Sequence, residues 1–403
     1  MPEVPPPLSP PTLVVDPGGL ERMLRELERA AHIAVDTEAD SFFSYRERVC
    51  LVQISALGRD WIVDPLAELD LAPLGELFAD PARLKLFHDA EFDILILRRE
   101  YGFSFRGLFD TRIAAAALGH KSPGLAAVLN EHFGVELDKS LQRSDWSRRP
   151  LSPQQLAYAR CDTHYLERLM QEQLELLRER EREHIVREEV LRLERLEPTP
   201  RTPSADDAFE LKGARTLSPL GLRALRELYT WREQEAARRN VPPFKVLNNE
   251  QLLGLAQALP NHPRLLTGNG LLYGRQAGQY GGTVLAAIAR AQAAGPLERD
   301  PFPSYSDEER RAFEEQGELT DRLKQWRKVE AEKLGLDSAL VLNRHALEAI
   351  ATRRLSTPEA VRGLASVLPW QAASFADALA RVVAGFEADL AAGKIDLRSR
   401  RRR

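Results

Sequence analysis

From Ala31 to Val63 the apolar positions fall into three short runs, HIAVDTE, VCLVQIS and RDWIVDP, separated by polar or glycine-containing stretches. Runs of this length, rich in Val and Ile, predict strands, and three so close together predict an antiparallel meander. Beyond them the pattern alternates. A helix is expected near Leu71 to Phe78, a strand at LKLF, a helix through EFDILILRREYG, a strand at GLF and a helix from Thr111. That alternation gives α/β character with a mixed sheet. Ser152, Pro153 and Gln155 then supply an N-cap, a first-turn proline and the closing member of a capping box. One long helix is expected to follow, running into LLREREREHIVREEV.

Residues 197 to 213, EPTPRTPSADDAFELKG, have the Pro-, Ser- and Asp-rich composition of a linker. Everything after them reads as helical and contains an internal repeat. Trp231-Arg232 and Trp326-Arg327 are 95 residues apart, as are Glu235 and Glu330, Ala236 and Ala331, and the tripeptides Val246-Leu247-Asn248 and Val341-Leu342-Asn343. Matches at one offset predict two copies of one helical unit, at 214–292 and 310–390, in which Asn caps the helix after the tripeptide. The expected order is a lead-in over 1–12, an α/β domain over 13–196, the linker at 197–213, the two helical units, and a basic tail over 391–403.

Composition narrows the class. A chain of 403 residues with 43% hydrophobic content can bury several cores, and its formal net charge of -4 argues against a wholly basic nucleic-acid binder. Its two cysteines, Cys50 and Cys161, stand far apart, as in a reducing compartment. The Pro-rich start has neither the basic nor the apolar region of a secretory signal, and no apolar run reaches membrane-spanning length. A soluble, cytoplasmic protein is the expectation.

The chemistry lies in carboxylates. Asp36 and Glu38 flank Thr37 at the end of a strand, where two-residue spacing projects both acids from one face. Two such acids repel unless a cation lies between them, although a D-x-E alone is common in a chain with 60 acidic residues. Asp93 lies in a run so apolar that its helix must be largely buried, so it needs a counterion or structural partner. Asp89 and Glu91, nearer the start, are expected to serve the helix N-terminus. In YARCD, Tyr158 and Asp162 share one helical face at i, i+4; taken alone, a simple hydrogen bond between them accounts for the pair.

Together VDTE, HDAEFDILIL and YARCD resemble the motifs of the DEDD superfamily of 3′-to-5′ exonucleases, in the subtype with a Tyr before the last Asp, and within it the ribonuclease D family. DKSLQRSDWSRRPLS, residues 138 to 152, is similar to the stretch leading into the third motif in that family, and the repeated units look like HRDC domains. The resemblance spans residues 30 to 390. It implies an α/β RNase H-like exonuclease domain with a mixed sheet followed by two all-α helical-bundle (HRDC-like) domains, and hydrolysis of RNA 3′ ends to 5′-mononucleotides, in tRNA or other stable-RNA maturation. By position Asp36, Glu38, Asp93 and Asp162 correspond to the metal-binding acids, and Tyr158 to the Tyr that positions the attacking water. Hard oxygen donors of this kind suit Mg²⁺ or Mn²⁺. Two ions about 3.5 to 4 Å apart activate water and stabilise the leaving oxygen.

Other residues are read more modestly. Asp64 and Asp110 fit N-caps, His88 fits a hydrogen-bonded neighbour, His164 is placed near the scissile phosphate but outside the catalytic set, and Cys161 is expected to point away from Asp162. Lys139, Arg143, Trp146, Arg148 and Arg149 form a basic, aromatic segment that either contacts RNA or is a surface connection with its Trp packed inward. In the first repeat Arg223, Arg226, Arg232, Arg238, Arg239 and Lys245 outnumber nearby acids, which suits phosphate contact. The second repeat, less basic, reads as structural. The expected partner is RNA with a free 3′ end, tRNA precursors included, with no membrane and no protein partner implied. The competing readings are a 3′-to-5′ exodeoxyribonuclease and a nuclease-derived nucleic-acid-binding scaffold.

Overall fold

Ahead of the Val- and Ile-rich runs the chain adds a strand, β1 (Thr12–Val14), and a helix, α1 (Pro17–Leu27), whose N-cap Asp16 accepts the Gly19 N–H at 2.8 Å. The structure, a computed structural model, describes residues 9–200, 202–268, 270–395 and 397, so most of the expected lead-in and the arginines of 398–403 lie outside the described residues. The three runs become β2 (His32–Ala39), β3 (Val49–Ala56) and β4 (Arg59–Val63). After α2 (Ala72–Ala79) come β5 (Leu84–Phe87), α3 (Glu91–Tyr101), β6 (Leu108–Asp110), α4 (Thr111–Ala117) and α5 (Leu125–Phe133).

The sheet order is β1-β4-β3-β2-β5-β6. β3 and β4 form an antiparallel hairpin around Leu57 and Gly58, both at positive φ (53° and 72°), as a tight two-residue turn requires. β1 adds to β4 in parallel, and β2, β5 and β6 run parallel, with Ala34 opposite Leu86 and Phe87 opposite Asp110. The sheet is mixed, and of the expected antiparallel meander it contains the β3–β4 hairpin, with β2 on the other side of β3. All eight β3 residues are buried, so this strand is the middle of the core.

The single long helix expected after Ser152 is three: α6 (Pro153–His164), α7 (Leu166–Glu179) and α8 (Glu183–Leu193). The chain bends at Tyr165 (φ −94°, ψ −7°) and breaks again at Glu181, which has a φ of 56°. Each break re-aims an apolar stripe. α6 packs on β3 and β4, α7 buries Leu166, Leu169, Met170 and Leu177, and α8 buries Ile185, Val186, Val190 and Leu193.

The helical region comprises α9 (Pro219–Arg239), α10 (Pro243–Val246), α11 (Asn249–Ala258), α12 (Pro263–Gly268) and α13 (Gly274–Ala294) in the first repeat. The second has α14 (Asp307–Leu334), α15 (Ser338–Val341), α16 (Arg344–Arg353), α17 (Pro358–Arg362) and α18 (Pro369–Ala391). Asn248 and Asn343 cap α11 and α16. The repeated Arg has a matching structural task in both copies: Arg232 and Arg327 each donate to the carbonyl of the tripeptide's Leu, Leu247 at 3.4 Å and Leu342 at 2.9 Å. Gln276 and Gln371 extend the match, each accepting the backbone N–H of the residue before its helix, Tyr273 at 3.3 Å and Leu368 at 2.9 Å, and donating to a carbonyl of the short helix before the tripeptide Asn.

Two compact units result, and they do not follow chain order. One joins the sheet and its helices to the second repeat. The other joins the first repeat to residues 39–48, the connection between β2 and β3. Within the first unit, Asp337 N–H donates to the Ala116 carbonyl at 3.2 Å, and Trp370 N–H to the Glu188 carboxylate at 2.9 Å. Arg182 reaches the carbonyls of Ala117, Leu334 and Gly335, the C-terminal ends of α4 and α14. Gly119 is required there, since a Cβ on it would stand 2.5 Å from the Gly335 carbonyl oxygen.

Candidate active site

Strand β2 is buried from Ile33 to Val35 and again at Thr37, with Asp36 and Glu38 half-buried on either side of Thr37. Asp93 stands in the first turn of α3, not in its interior as the apolar run suggested. There the helix dipole and free N–H groups favour an anionic side chain. Asp93 is 5% exposed and accepts the Thr37 hydroxyl at 2.5 Å, which ties α3 to the middle residue of the first motif. The neighbouring Phe92, expected to be interior, is 45% exposed.

α3 has no side-chain cap of its own. Its start is held by Asp110, the N-cap of α4, which accepts Arg112 and Ile113 N–H and also Asp89 and Ala90 N–H, at 3.2 and 2.8 Å. Glu91 lies in the first turn of α3, as expected of an acid serving its N-terminus, while Asp89 stands just before it; they pair with Arg192 and Arg112 respectively. Asp110 and Thr37 are the supporting residues that spacing could not reveal. The N-cap of Asp110 was legible, but its second pair of bonds joins positions twenty residues apart.

α6 carries the third motif. Its Ser152–Gln155 capping box is complete, and packing on β3 and β4 aims Tyr158 and Asp162 toward the β2 acids. The four carboxylates sense one another. Burial, then the charges of Asp93, Asp162 and Glu38, holds Asp36 well above the ordinary carboxylate range. Burial, then Asp162 and Asp93, pushes Glu38 up to about 9. Asp93 is raised chiefly by burial, and Asp162 by burial and then Asp93. Burial, then the charges of Asp162, Glu38 and Asp36, raise Tyr158, so its phenol keeps its proton.

Among the described residues no Lys, Arg or His pairs with Asp36, Glu38, Asp93 or Asp162 within salt-bridge distance, and no three His, Cys, Asp or Glu side chains stand close enough together to hold a metal ion. The fit to a divalent cation rests on the donor set: four oxygen acids, mutually repelling and without a cationic partner, are what a hard ion relieves.

Tyr158, Cys161 and Asp162 line a cavity of about 340 Å³ with Leu137, Leu141 and Glu136. Cys161 thus shares the space beside Asp162 and does not point away from it. Its thiol is pushed up to about 11, by burial and then Asp162, and is no nucleophile at neutral pH. His164 turns away to the Asp60 carboxylate at 2.9 Å, and His88 bonds Thr111 at 2.9 Å.

The basic segment divides. Trp146 is 1% exposed and packs with Cys50, Leu51, Ile62 and Ala159, its ring 5.8 Å from that of Tyr158, so it supports the site from within and offers no face to a base. Arg149 is a bracket: it holds Asp64 through two nitrogens, at 2.5 and 2.6 Å, and the Cys50 and Trp146 carbonyls. Lys139, Arg143 and Arg148 stay exposed, Arg148 pairing with Asp145. In the first repeat the cation excess does not leave an unengaged face. Arg223 bonds the Pro296 carbonyl, Arg226 pairs with Asp206, buried Arg232 with Glu233, and Arg238 with Glu235. Arg239 meets the Tyr280 hydroxyl, and Lys245 lies 4.2 Å over Phe43.

An RNase H-like sheet presenting these acids, followed by repeated helical units, defines a divalent-metal-dependent 3′-to-5′ exonuclease. A family of 3'-5' exonuclease domains matches residues 11–177, and the HRDC domain matches 221–288 and 316–383. Ribonuclease D of Granulibacter bethesdensis is 34% identical over 285 residues, 70% of this chain and 72% of that protein. The catalytic core of RRP6 from Trypanosoma brucei superposes with a TM-score of 0.66 at 27% identity, over 73% of this chain and 83% of that one. Escherichia coli RNase D, an exoribonuclease involved in structured RNA processing, shares the fold over 94% of this chain and 99% of its own, with a TM-score of 0.65 at 23% identity. The chain belongs to the ribonuclease D family and is a 3′-to-5′ exoribonuclease.

Proposed function

We propose that this exoribonuclease trims the 3′ ends of stable RNAs, tRNA precursors among them, in the cytoplasm, with Mg²⁺ or Mn²⁺ in a two-ion site. The observation that carries the site assignment is the convergence of Asp36, Glu38, Asp93 and Asp162, from three separate elements, into one field of raised carboxylates without a cationic partner among the described residues. Divalent ions held by these acids supply water activation and charge neutralisation at the leaving 3′ oxygen. Tyr158 keeps its phenolic proton and orients the attacking water by hydrogen bonding; it is too weak an acid to serve as base. Thr37 and Asp110 hold Asp93 and its helix in place. Lys139, Arg143 and Arg148 are the members of the basic segment assigned to RNA phosphates; Trp146 and Arg149 are not.

The test uses a 3′-tailed RNA hairpin, its DNA counterpart and a 3′-blocked RNA, each with Mg²⁺, Mn²⁺ or EDTA. Stepwise release of 5′-mononucleotides from the unblocked RNA, with metal only, is expected. Asp93→Asn should lower turnover at least a thousandfold while RNA affinity stays within about threefold, because it removes a ligand and leaves the basic surface intact. Faster trimming of the DNA would overturn the RNA assignment, and undiminished turnover by Asp93→Asn would overturn the site.

A further inference from the structure

Gln53 is fully buried in the middle of β3, and among the described residues neither its amide nitrogen nor its amide oxygen has a hydrogen-bond partner. Other glutamines as deeply buried are engaged: Gln173 donates to the Thr111 carbonyl at 3.0 Å and Gln371 to the Leu340 carbonyl at 2.6 Å. Burying a carboxamide without either bond costs stability that an apolar side chain of the same length would keep. Packing therefore gives no reason for an amide at this position.

Its surroundings supply one. Ser55, two residues further along the strand, bonds the Thr163 hydroxyl of α6 at 2.7 Å, and Leu51, two residues back, packs with Ala159 of α6. Gln53 stands opposite Ile62 in the β3–β4 pairing, and Ile62 belongs to the same Ala159 cluster. Side chains alternate between the two faces of a strand, so Gln53 is on the α6 face, between Ala159 and Thr163. The other neighbour of β3 is β2. Ala34 of β2 lines one cavity with Ser55 and Thr163, while Thr37 is turned to Asp93 of α3. Asp36 and Glu38, in step with Ala34, share the α6 face with Gln53. From Thr163 back toward Tyr158 along α6, the facing residues run from Ser55 to Leu51 on β3, and on β2 from Ala34 to Glu38, whose charge reaches Tyr158. Gln53 and Asp36 are the middle positions of these two rows.

We propose that Gln53 is a positioning residue for the metal site: its amide N–H donates to the Asp36 carboxylate when that acid serves as a ligand, and so fixes which carboxylate oxygen is turned to the ion. A ligating carboxylate held by a hydrogen bond from outside keeps its orientation and binds more tightly. The amide then serves the site and not the core. This inference rests on the assignment of Asp36 to the metal site.

The test uses the full chain with Gln53→Met, which keeps the length of the side chain and removes its polar atoms, and with Gln173→Met, which removes a second deeply buried amide. Mn²⁺ binding is measured by calorimetry without RNA, stability by urea unfolding in EDTA, and kcat and KM on a single-stranded RNA at limiting Mn²⁺. For Gln53→Met the expected results are an unfolding midpoint equal to or above the parent's, Mn²⁺ affinity lower by about tenfold, and a matching fall in kcat with KM little changed. Gln173→Met should do the reverse, lowering the midpoint and leaving Mn²⁺ affinity within about twofold of the parent's. Parent-like Mn²⁺ affinity in Gln53→Met would overturn the proposal. So would a fall in its midpoint like that of Gln173→Met, which would give the amide a structural bond, or an equal loss of affinity in both variants, which would make the effect one of core packing. A parent protein that shortens RNA yet whose Mn²⁺ affinity survives Asp36→Asn would instead remove the metal-site assignment beneath it.

Discussion

Burial changes what individual side chains can do, and two of them give direct tests. Tyr158 lies among three acids and stays protonated. Tyr158→Phe should therefore lower kcat by about a hundredfold with KM within twofold, and should not remove an alkaline limb below pH 10 from the rate profile. Steady-state kinetics from pH 6 to 10 checks this, and a raised KM at constant kcat would make Tyr158 a substrate-holding group instead. His88 is pushed down to about 3, by burial and then the Arg112 charge. Its neutral form is the folded form. Stability from this group is complete above the unfolded value of about 6.5 and is lost as pH falls from there toward 3. His88→Gln should lose about 2 kcal/mol less stability than the parent between pH 7 and pH 4.5, read by urea unfolding. Equal losses would show that His88 is protonated in the folded protein.

For the elements, the site depends on where three of them start or stop. β2 carries its half-buried acids at its C-terminal end, α3 begins one turn before its carboxylate would be interior, and α6 ends two residues after Asp162. The Ser152–Gln155 capping box is the one start signal at the site written entirely in local sequence. Ser152→Ala should cost about 1 kcal/mol in urea unfolding, because it leaves the Gln155 N–H without its acceptor. Ser152→Asp should restore most of that, and an Ala variant as stable as the parent would show that packing on β3 and β4 alone holds α6.

Across the whole molecule, repeats alike in sequence have different neighbours: the second shares a unit with the sheet, the first with residues 39–48. Arg182, bonding three carbonyls at the ends of α4 and α14, is the polar centre of the first arrangement. Arg182→Ala leaves these acceptors without their donor, a loss of about 2 kcal/mol that should lower the melting temperature by about 4 °C. An unchanged melting curve would mean that water replaces the guanidinium there without penalty.

The chain alone determined whatever depends on neighbours in sequence. The strands at HIAVDTE and LKLF, the caps at Ser152, Asp64, Asp110, Asn248 and Asn343, and the repeat offset follow from local hydrogen bonding and side-chain periodicity. The acids proposed for the site stood out because like charges close together demand an explanation, and the family resemblance named their positions. Tertiary structure decided what depends on partners distant along the chain. It buried Trp146, gave Arg149 and the cations of the first repeat partners within the protein, gave Asp110 a second helix to hold, and broke one expected helix into three. The physical reason is the same in each case. A charged or aromatic side chain is read from sequence as exposed or reactive by its type, but its partner is chosen by the fold, and a partner fixes both its protonation and its reach.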